Sequence, residues 1–463
     1  MPETQAQPST HSCDVLVIGG GPAGSTISTK LAEKGWNVVQ LEKEHHPRFH
    51  IGESLLPMNV PILEELGVLD QVEEIGIRKY GAEFDSMYHG RMSLYYFGKA
   101  LDTNHPYAYE VKREQFDEIL FRNATKKGVD TREGIKVIEV TTHADNSSTI
   151  VGKDKQGNLH TFKARFLVDA SGRDTFLSSK LGIKRRNKDH NSAALFGHFN
   201  NVERREGLDE GNITLSWFEH GWFWMIPFKD GEMSVGAVCW PYYLASRKVD
   251  PEQFLYDTIA MCPPVAERMK NAELVTKVSA TGNYSYKSDH MVGNGYIMVG
   301  DAFAFVDPVF SSGVLLGMTS GLEGAKVVDT VLREPEKAAK VIKHFNRTVR
   351  SGIKTFSWFI YRITQPAMRD MFMSSEERKV SFKMEEAILS LLAGDIFRDT
   401  PIKRPLFIFN MLYRLTWLKD WRINLAAQRK RKTDIRFKDL PPEATKGARN
   451  TKNTEKPEEI EVN

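Results

Sequence analysis

The chain has 463 residues, of which 41% are hydrophobic and 27% charged, and its 63 Lys and Arg nearly balance its 60 Asp and Glu. The net charge of +3 argues against a nucleic-acid partner, and three scattered cysteines argue against a disulfide framework or a metal site. No apolar run reaches the ~18 residues of a membrane-spanning helix. The polar N-terminus carries no secretion signal, so we expect a cytoplasmic location, with membrane contact not favoured.

The first predicted elements form a βαβ unit. Residues 13–18 and 36–41 have the apolar pattern of buried strands, and residues 25–35 that of a helix. Between the first strand and the helix lies a Gly-x-Gly-x-x-Gly loop, which permits a tight turn, a pyrophosphate against the backbone and close helix packing. Free N–H groups at the helix start favour phosphate. The unit predicts a dinucleotide site built from Gly19, Gly21, Pro22, Ala23, Gly24, Glu42 and Lys43.

Later segments indicate which dinucleotide binds. Two further predicted strands lead to Asp169 and Asp301, whose carboxylates can accept hydrogen bonds from ribose or ribitol hydroxyls. Arg48, Ser54 and Arg113 are candidate contacts for the phosphates or the ring. Either arginine alone is better explained as a surface ion pair, but together these features favour FAD. We find no second glycine-rich motif for a nicotinamide cofactor.

The strand pattern changes in two separated stretches, where aromatic and β-branched residues alternate. They predict one antiparallel sheet inserted into the nucleotide-binding lobe. The arrangement resembles the flavoprotein monooxygenase superfamily over roughly residues 12–330, whose fold is a Rossmann FAD lobe with an inserted substrate sheet. We therefore expect an α/β fold with an FAD-binding domain (12–80, 110–185 and 285–330), a substrate-binding sheet (81–109 and 186–284), a C-terminal helical region (331–440) and a disordered tail (441–463).

Residues 221–227 have the sequence GWFWMIP on a predicted strand. Period 2 puts Trp222, Trp224 and Ile226 on one face, forming an apolar wall. For an isolated pair of tryptophans, a plain core strand would be the simpler interpretation. The string, which ends in Pro227, is similar to the W-x-W-x-I-P signature of flavin-dependent halogenases. In that family the wall separates flavin from organic substrate, so that the flavin hydroperoxide oxidises a halide instead of oxygenating the substrate.

Residues 305–313 have the spacing Phe-x-x-Pro-x-x-Ser-x-Gly, similar to the second halogenase signature, which passes beside the isoalloxazine ring. A glycine-rich turn before a helix would explain the glycine but not the full spacing. The resemblance implies cofactor contacts at Pro308 and Gly313, and a chloride or bromide site at the backbone N–H groups of Ser312 and Gly313. Halogenases of free tryptophan carry a glutamate where this chain has Phe310, which favours a phenol or pyrrole substrate.

Lys79 would, from its sequence context alone, be a solvated surface charge. In the halogenase family a lysine at this point faces the end of a tunnel from the flavin, where its amine binds hypohalous acid or becomes a haloamine. An amine suits this role because a desolvated pocket lowers its pKa. No general base can be assigned, and Glu53 and His50 are the candidates.

The resemblance implies an enzyme that uses FADH2 and O2 to halogenate an electron-rich aromatic small molecule, with hypohalous acid delivered to Lys79. A separate NADH-dependent flavin reductase would supply the reduced cofactor. The alternative enzyme is an FAD-dependent hydroxylase, epoxidase or prenyl reductase on the same fold, which would have no use for the tryptophan wall. A flavin-binding or carrier-docking protein without turnover is the alternative outside enzymes.

The C-terminal region is basic, with eleven Lys and Arg against three Asp between residues 401 and 440. A solvated helix face followed by a basic linker is the simplest interpretation. The alternatives are docking of an acidic carrier protein that tethers the aromatic substrate, contact with anionic lipid through neighbouring apolar residues, and a roof over the substrate pocket.

Overall fold

The computed structural model describes residues 10–102, 104–187, 192–282, 285–373, 383–398 and 401–435. The predicted disordered tail, residues 441–463, lies outside this part of the chain. The strands are β1 Thr10–Ile18, β2 Val38–Leu41, β3 Ile77–Lys79, β4 Gly81–Ser86, β5 Arg91–Tyr96, β6 Ala108–Glu110, β7 Asp130–Arg132, β8 Ile135–Thr142, β9 Ser148–Asp154, β10 Leu159–Asp169, β11 Lys184–Arg186, β12 Ala193–Asn200, β13 Ile213–Phe218, β14 Gly221–Pro227, β15 Met233–Cys239, β16 Glu273–Leu274, β17 Ser279–Gly282, β18 Tyr286–Ser288, β19 Val292–Gly293, β20 Tyr296–Met298 and β21 Ala304–Phe305.

Helices connect these strands and make up most of the C-terminal third. They are α1 Pro22–Ala32, α2 Val60–Leu66, α3 Leu69–Ile75, α4 Arg113–Lys126, α5 Phe176–Lys180, α6 Pro241–Ala245, α7 Pro251–Ala260, α8 Pro263–Arg268, α9 Ser312–Arg333, α10 Ala338–Ile360, α11 Pro366–Phe372, α12 Met384–Leu392, α13 Lys403–Lys419 and α14 Trp421–Ile435. Across the described ranges, none of the helices is both long and apolar enough to cross a bilayer.

The first sheet has the doubly wound order expected of a Rossmann-type lobe. Strands β20, β10, β1, β2 and β7 lie side by side and run parallel. All four residues of β2 are buried, as in a parallel strand that is covered on both faces. Helix α1 packs against α9 and α4. The βαβ unit predicted from the sequence is confirmed, and the glycine loop lies at the carboxyl end of β1, where such sheets bind ligands.

The second sheet has the order β16–β12–β15–β14–β13–β4–β5, and β17 also pairs with β12. It combines strands from both of the stretches in which the sequence predicted an inserted sheet. One pair departs from the antiparallel expectation, because β13 runs parallel to β4. These two strands are separated by more than 120 residues, so no hairpin turn dictates their relative direction. Every residue of β13, β14 and β15 is buried, and both faces of the sheet centre are therefore covered.

The C-terminal helices pack on the core that contains the tryptophans of β14. This core includes Phe359 of α10 and Phe409 and Tyr413 of α13 together with Trp222 and Trp224. The rings of Phe359 and Phe409 are 5.5 Å apart. The helical region thus packs on the side of the second sheet rather than forming a separate core.

Candidate active site

A cavity of about 1090 Å³ extends from the glycine loop after β1 to the tryptophans of β14. This volume is at the upper end of small-molecule sites, as needed for a dinucleotide and a second ligand. Fifteen of the residues predicted from the sequence line it: Gly19, Gly21, Pro22, Ala23, Glu42, Lys43, Arg48, Ser54, Arg113, Trp222, Trp224, Ile226, Asp301, Pro308 and Gly313. Gly24, Lys79, Asp169, Pro227 and Ser312 do not reach its surface.

The three glycines of the loop have different surroundings. Gly19 has φ +105°, and a Cβ there would lie 2.3 Å from the carbonyl oxygen of Ala170. A Cβ at Gly24 would lie 2.1 Å from the carbonyl oxygen of Gly19, so this residue serves the close packing of helix on loop. At Gly21 the nearest atom would be Nη2 of Arg48 at 3.6 Å. Gly21 therefore leaves open space on the cavity side, which a pyrophosphate could fill.

Glu42 supports the loop as well as lining the cavity. Its Oε2 accepts a hydrogen bond from the backbone N–H of Gly20 at 2.7 Å, and its Oε1 accepts one from the N–H of Glu44 at 3.0 Å. The neighbouring Lys43 pairs with Asp174 at 2.9 Å, and both line the cavity. The carboxylate of Glu42 is thus held at the end of β2, where a ribose hydroxyl would be expected.

Arg48 and Arg113 are largely buried. Neither side chain therefore forms the surface ion pair that was the simpler interpretation of each arginine by itself. Arg113 donates two hydrogen bonds to the buried carboxylate of Asp117, and Nη1 of Arg48 lies 3.4 Å from it. Burial would raise the pKa of Asp117, but the two guanidinium groups outweigh it and lower that pKa. Nε of Arg48 is buried without a hydrogen-bond partner among the described residues. A cationic group with an unused donor beside Gly21 fits a phosphate-bearing cofactor such as FAD.

The two predicted aspartates are placed differently. Asp301 lines the cavity, and burial raises the pKa of Asp301 to about 6 against the opposing charges of Arg173 and Arg113. Asp169 does not line it, although the sequence predicted a cofactor contact there. Its two carboxylate oxygens accept the backbone N–H groups of Ser171 and Leu177 at 2.9 and 2.7 Å. Asp169 therefore holds the turn after β10.

The tryptophan wall of β14 faces the cavity. The rings of Trp222 and Trp224 have centroids 6.0 Å apart and are tilted by 52°. Nε1 of Trp224 donates a hydrogen bond to Oγ of Ser234 at 3.1 Å, which fixes the indole. Pro227 was predicted to belong to this wall, but strand alternation directs it to the opposite face from Ile226.

The turn before α9 contains strained backbone. Ser311 adopts φ +54°, and Asp307 accepts hydrogen bonds from Val309 N and from Ser192 Oγ. A Cβ on Gly313 would meet no atom of the described residues within 4 Å, so this first turn of α9 borders open space there. Oγ of Ser312 is buried without a partner among the described residues.

Lys79 is neither a solvated charge nor part of the cavity wall. Its side chain is 1% exposed, and Nζ donates hydrogen bonds to Oγ of Ser54 at 2.7 Å and to the carbonyl oxygen of Leu55 at 3.0 Å. Pairing of β3 with β6 brings Oε1 of Glu110 to 3.7 Å from Nζ, and Ser54 Oγ also lies 3.0 Å from that oxygen. Burial lowers the pKa of Lys79 and raises the pKa of Glu110. Because Ser54 lines the cavity, the amine lies one hydrogen bond behind its wall.

The two candidate bases also line the cavity. His50 has Nδ1 2.7 Å from the carbonyl oxygen of Ile51, and burial together with Arg113 lowers the pKa of His50 to about 3. It is therefore neutral, with Nδ1 donating and Nε2 left as an acceptor. Glu53 pairs with His198, a residue that sequence reasoning missed, at 2.7 Å. Burial opposes the charge of His198, but Glu53 outweighs it and raises the pKa of His198.

Comparison with known proteins decides the family. The FAD binding domain model matches residues 12–340. Flavin-dependent halogenase gsfI of Penicillium aethiopicum is 33% identical over 372 residues, which cover 75% of this chain and 70% of that protein. This chain belongs to the flavin-dependent halogenases. The family predicted from the two sequence signatures is thereby confirmed, as is FAD as the cofactor.

The halogenase has further similar relatives. The 1H-pyrrole-2-carbonyl peptidyl-carrier-protein chlorinase of Pseudomonas fluorescens is 28% identical over 415 residues, covering 84% of this chain and 90% of that protein. The structure of the myxobacterial chondrochloren halogenase CndH is 32% identical, with a TM-score of 0.74 over 88% of this chain and 97% of that chain. The halogenase fold, a Rossmann-type FAD lobe with an inserted sheet and C-terminal helices, is shared with that structure.

Proposed function

We propose that this halogenase places chlorine or bromine on an electron-rich aromatic ring of the phenol or pyrrole type. The observation that carries the proposal is the continuity of one cavity. It is lined by the glycine loop, by Trp222 and Trp224, and by Ser54, the hydrogen-bond partner of Lys79. Position 310 is a phenylalanine that packs in the apolar core, so no carboxylate at this position can assist a less reactive ring.

FAD, when bound and reduced, supplies together with O2 the oxidising chemistry that turns halide into hypohalous acid. Arg48 and Arg113 would hold its phosphates, because both are positively charged, Arg48 presents an unused donor, and the two share the single carboxylate of Asp117. Gly21 leaves room for the pyrophosphate, and Glu42 and Asp301 would accept hydrogen bonds from hydroxyls. The indoles of Trp222 and Trp224 would exclude the organic substrate from the cofactor.

The halide would bind at the first turn of α9. The backbone N–H groups of Ser312 and Gly313 begin this helix, so they have no partners within it and carry the positive end of its dipole. The open space beside Gly313 leaves room for an ion. Consecutive amides of this kind form an anion nest.

Lys79 would receive the halogen through the Ser54 position. Transfer of the Nζ proton to Glu110 leaves a neutral amine and a neutral carboxyl, the direction in which burial shifts both groups. The amine and hypohalous acid then give a haloamine and water, with a new N–halogen bond. The N–halogen bond then breaks as the aromatic ring takes the halogen, and the ring proton passes to the nitrogen, which restores the amine. Movement of the Ser54 hydroxyl is needed to open the path.

Two further partners are expected, a source of reduced FAD and an aromatic substrate. A separate NADH-dependent flavin reductase would supply reduced FAD, because the sequence has a single glycine-rich nucleotide motif. Free phenols and pyrroles, and the same rings on a carrier protein, are the candidate substrates. The carrier-bound form is included because the relative from Pseudomonas fluorescens is named as a chlorinase of carrier-bound pyrrole.

The test combines purified enzyme, FAD, a flavin reductase, NADH and bromide with a panel of phenols, pyrroles and indoles, free and carrier-bound. We expect brominated phenol or pyrrole as the main product. Products confined to the indoles would overturn the substrate class. Rapid oxidation of NADH by the enzyme alone would overturn the need for a reductase.

A further inference from the structure

The outer face of α13 carries a row of exposed apolar side chains. Phe407, Met411, Leu415 and Leu418 are each at least half exposed. Their spacing of four, four and three residues puts them on one face of the helix. Trp421, at the start of α14, continues the row and is 47% exposed.

No described part of the fold covers this row. The opposite side of α13 supplies the packing, since Phe409 and Tyr413 are buried there and contact Phe359 and Trp358. Helix α13 is therefore apolar on two sides, and only the inner side has a partner within the described part of the chain. Exposed apolar patches of this kind mark interaction sites.

The charges around the row define the partner. Residues 403–430 contain seven Lys or Arg and a single acidic residue, Asp420. Arg404, Arg414, Lys419 and Arg422 are exposed beside the apolar row. A second copy of the chain would bring two such basic faces together, and their repulsion disfavours a symmetric contact. The partner should therefore be anionic.

We infer that the outer face of α13 and the start of α14, the basic apolar face, dock on an anionic lipid surface. Helix α13 spans ~25 Å, and its protruding side chains can enter the acyl boundary without a matching groove, which a protein partner would need. Basic side chains at the rim add attraction to lipid phosphates. This contact is peripheral and independent of the proposed substrate class, and it departs from the expectation from composition that membrane contact is not favoured.

The first experiment measures binding of the full-length FAD-loaded enzyme to sedimenting vesicles. One set is phosphatidylcholine alone, and the other contains about one third phosphatidylglycerol at physiological salt. We expect clear binding to the anionic vesicles only. A lipid with dibrominated acyl chains should quench tryptophan fluorescence, and the quenching should fall in Trp421→Phe.

Two variants separate the apolar and charged contributions. Leu415→Glu with Leu418→Glu should reduce binding at least tenfold. The second variant combines Arg404→Gln, Arg414→Gln and Lys419→Gln. Vesicle binding should fall about a hundredfold in this variant, at about fivefold for each charge removed. Leu159→Glu with Leu208→Glu is the matched control, because both leucines are exposed elsewhere on the surface, and it should bind as the parent does. Bromination of a water-soluble phenol should be unchanged in all three.

Several results would overturn the inference. They are equal sedimentation with both vesicle types, binding that survives Leu415→Glu with Leu418→Glu, and equal loss in the control. A concentration-dependent dimer that these substitutions dissociate, without vesicle binding, would identify the face as a self-interface instead. Binding of an acidic carrier protein, without binding of vesicles, would identify the face as a docking surface for that protein.

Discussion

The indole of Trp224 lies directly over the Cα of Gly236 on the neighbouring strand. The two residues are paired across β14 and β15, and a Cβ on Gly236 would lie 2.3 Å from Cζ2 of Trp224. Trp222, by contrast, is paired with Val238. The absence of a side chain at Gly236 therefore lets one of the two indoles lie across the sheet in the cavity wall.

Gly236→Ala should displace the indole of Trp224, and also Phe196, whose Cβ would lie 2.5 Å from the new methyl group, and so disrupt the cavity wall. We expect halogenation to fall about a hundredfold, since misplacement by about 1 Å at a reacting site has effects of this size. The destabilisation should be about 1–3 kcal/mol, typical of overpacking. Gly197→Ala is the control, because its Cβ would come closer than 3 Å only to the flexible end of Leu274, and Gly197 does not line the cavity. Turnover and urea unfolding are the measurements, and unchanged turnover in Gly236→Ala would show that the indole position is not critical.

Gly21→Ala and Gly24→Ala should separate cofactor binding from stability. A methyl group at position 21 has space in the protein but enters the expected pyrophosphate position, so FAD affinity should fall at least tenfold while the unfolding free energy changes little. At position 24 the methyl group would meet the Gly19 carbonyl, so stability should fall by about 1–3 kcal/mol. Fluorescence titration with FAD and thermal unfolding measure the two effects. Equal FAD affinity in Gly21→Ala and the parent would contradict the assignment of the loop.

Lys79→Met and Ser54→Ala test the amine behind the wall. Methionine keeps the length of the buried side chain without the amine, so halogenation should be lost while FAD binding persists. Ser54→Ala removes the hydroxyl between Lys79 and the cavity and should change turnover without abolishing it. Asn123→Ala, a buried polar change away from the cavity, is the control and should halogenate normally if it folds. Halogenation by Lys79→Met at the parent rate would remove the amine from the mechanism.

Glu53 and His198 should make stability depend on pH. The pKa of His198 is raised by Glu53, so the folded state holds a proton that the unfolded state releases first. The stabilisation is complete below the unfolded pKa of about 6.5 and is lost as the pH rises through the higher folded pKa. As the pH rises through and above the unfolded pKa, the parent should therefore lose more stability than His198→Gln. Urea unfolding of both proteins measures this, with His143→Gln, an exposed histidine, as control. Parallel pH curves for His198→Gln and the parent would contradict the pairing.

The features that the sequence could predict are the local ones. The glycine loop, Glu42 and the alternation of Trp222, Trp224 and Ile226 depend on residues close together in the chain. The role of Gly236 could also have been predicted, since a glycine in the middle of a strand often marks the close approach of another group. The structural role of Asp169 was likewise predictable, because an aspartate often accepts a hydrogen bond from the backbone N–H two residues later, here that of Ser171.

The burial of Lys79 could not be predicted, because it depends on distant pairing. Ser54 and Glu110 lie 25 and 31 residues away in the chain and meet Lys79 only through the β3–β6 ladder and the bridge between Ser54 and Glu110. The parallel β4–β13 pair and the His198–Glu53 contact are of the same kind. In each case the result depends on a partner in a distant part of the chain.

The central claim is that the oxidant formed at the cofactor reaches the aromatic ring as halogen and not as oxygen. The most direct measurement is mass spectrometry of the products of a simple phenol incubated with enzyme, flavin reductase, FAD, NADH and O2, with and without bromide. We predict a product with the paired isotope pattern of one bromine, formed only when bromide is present and absent with Lys79→Met. A hydroxylated product that forms equally well without bromide would contradict the account.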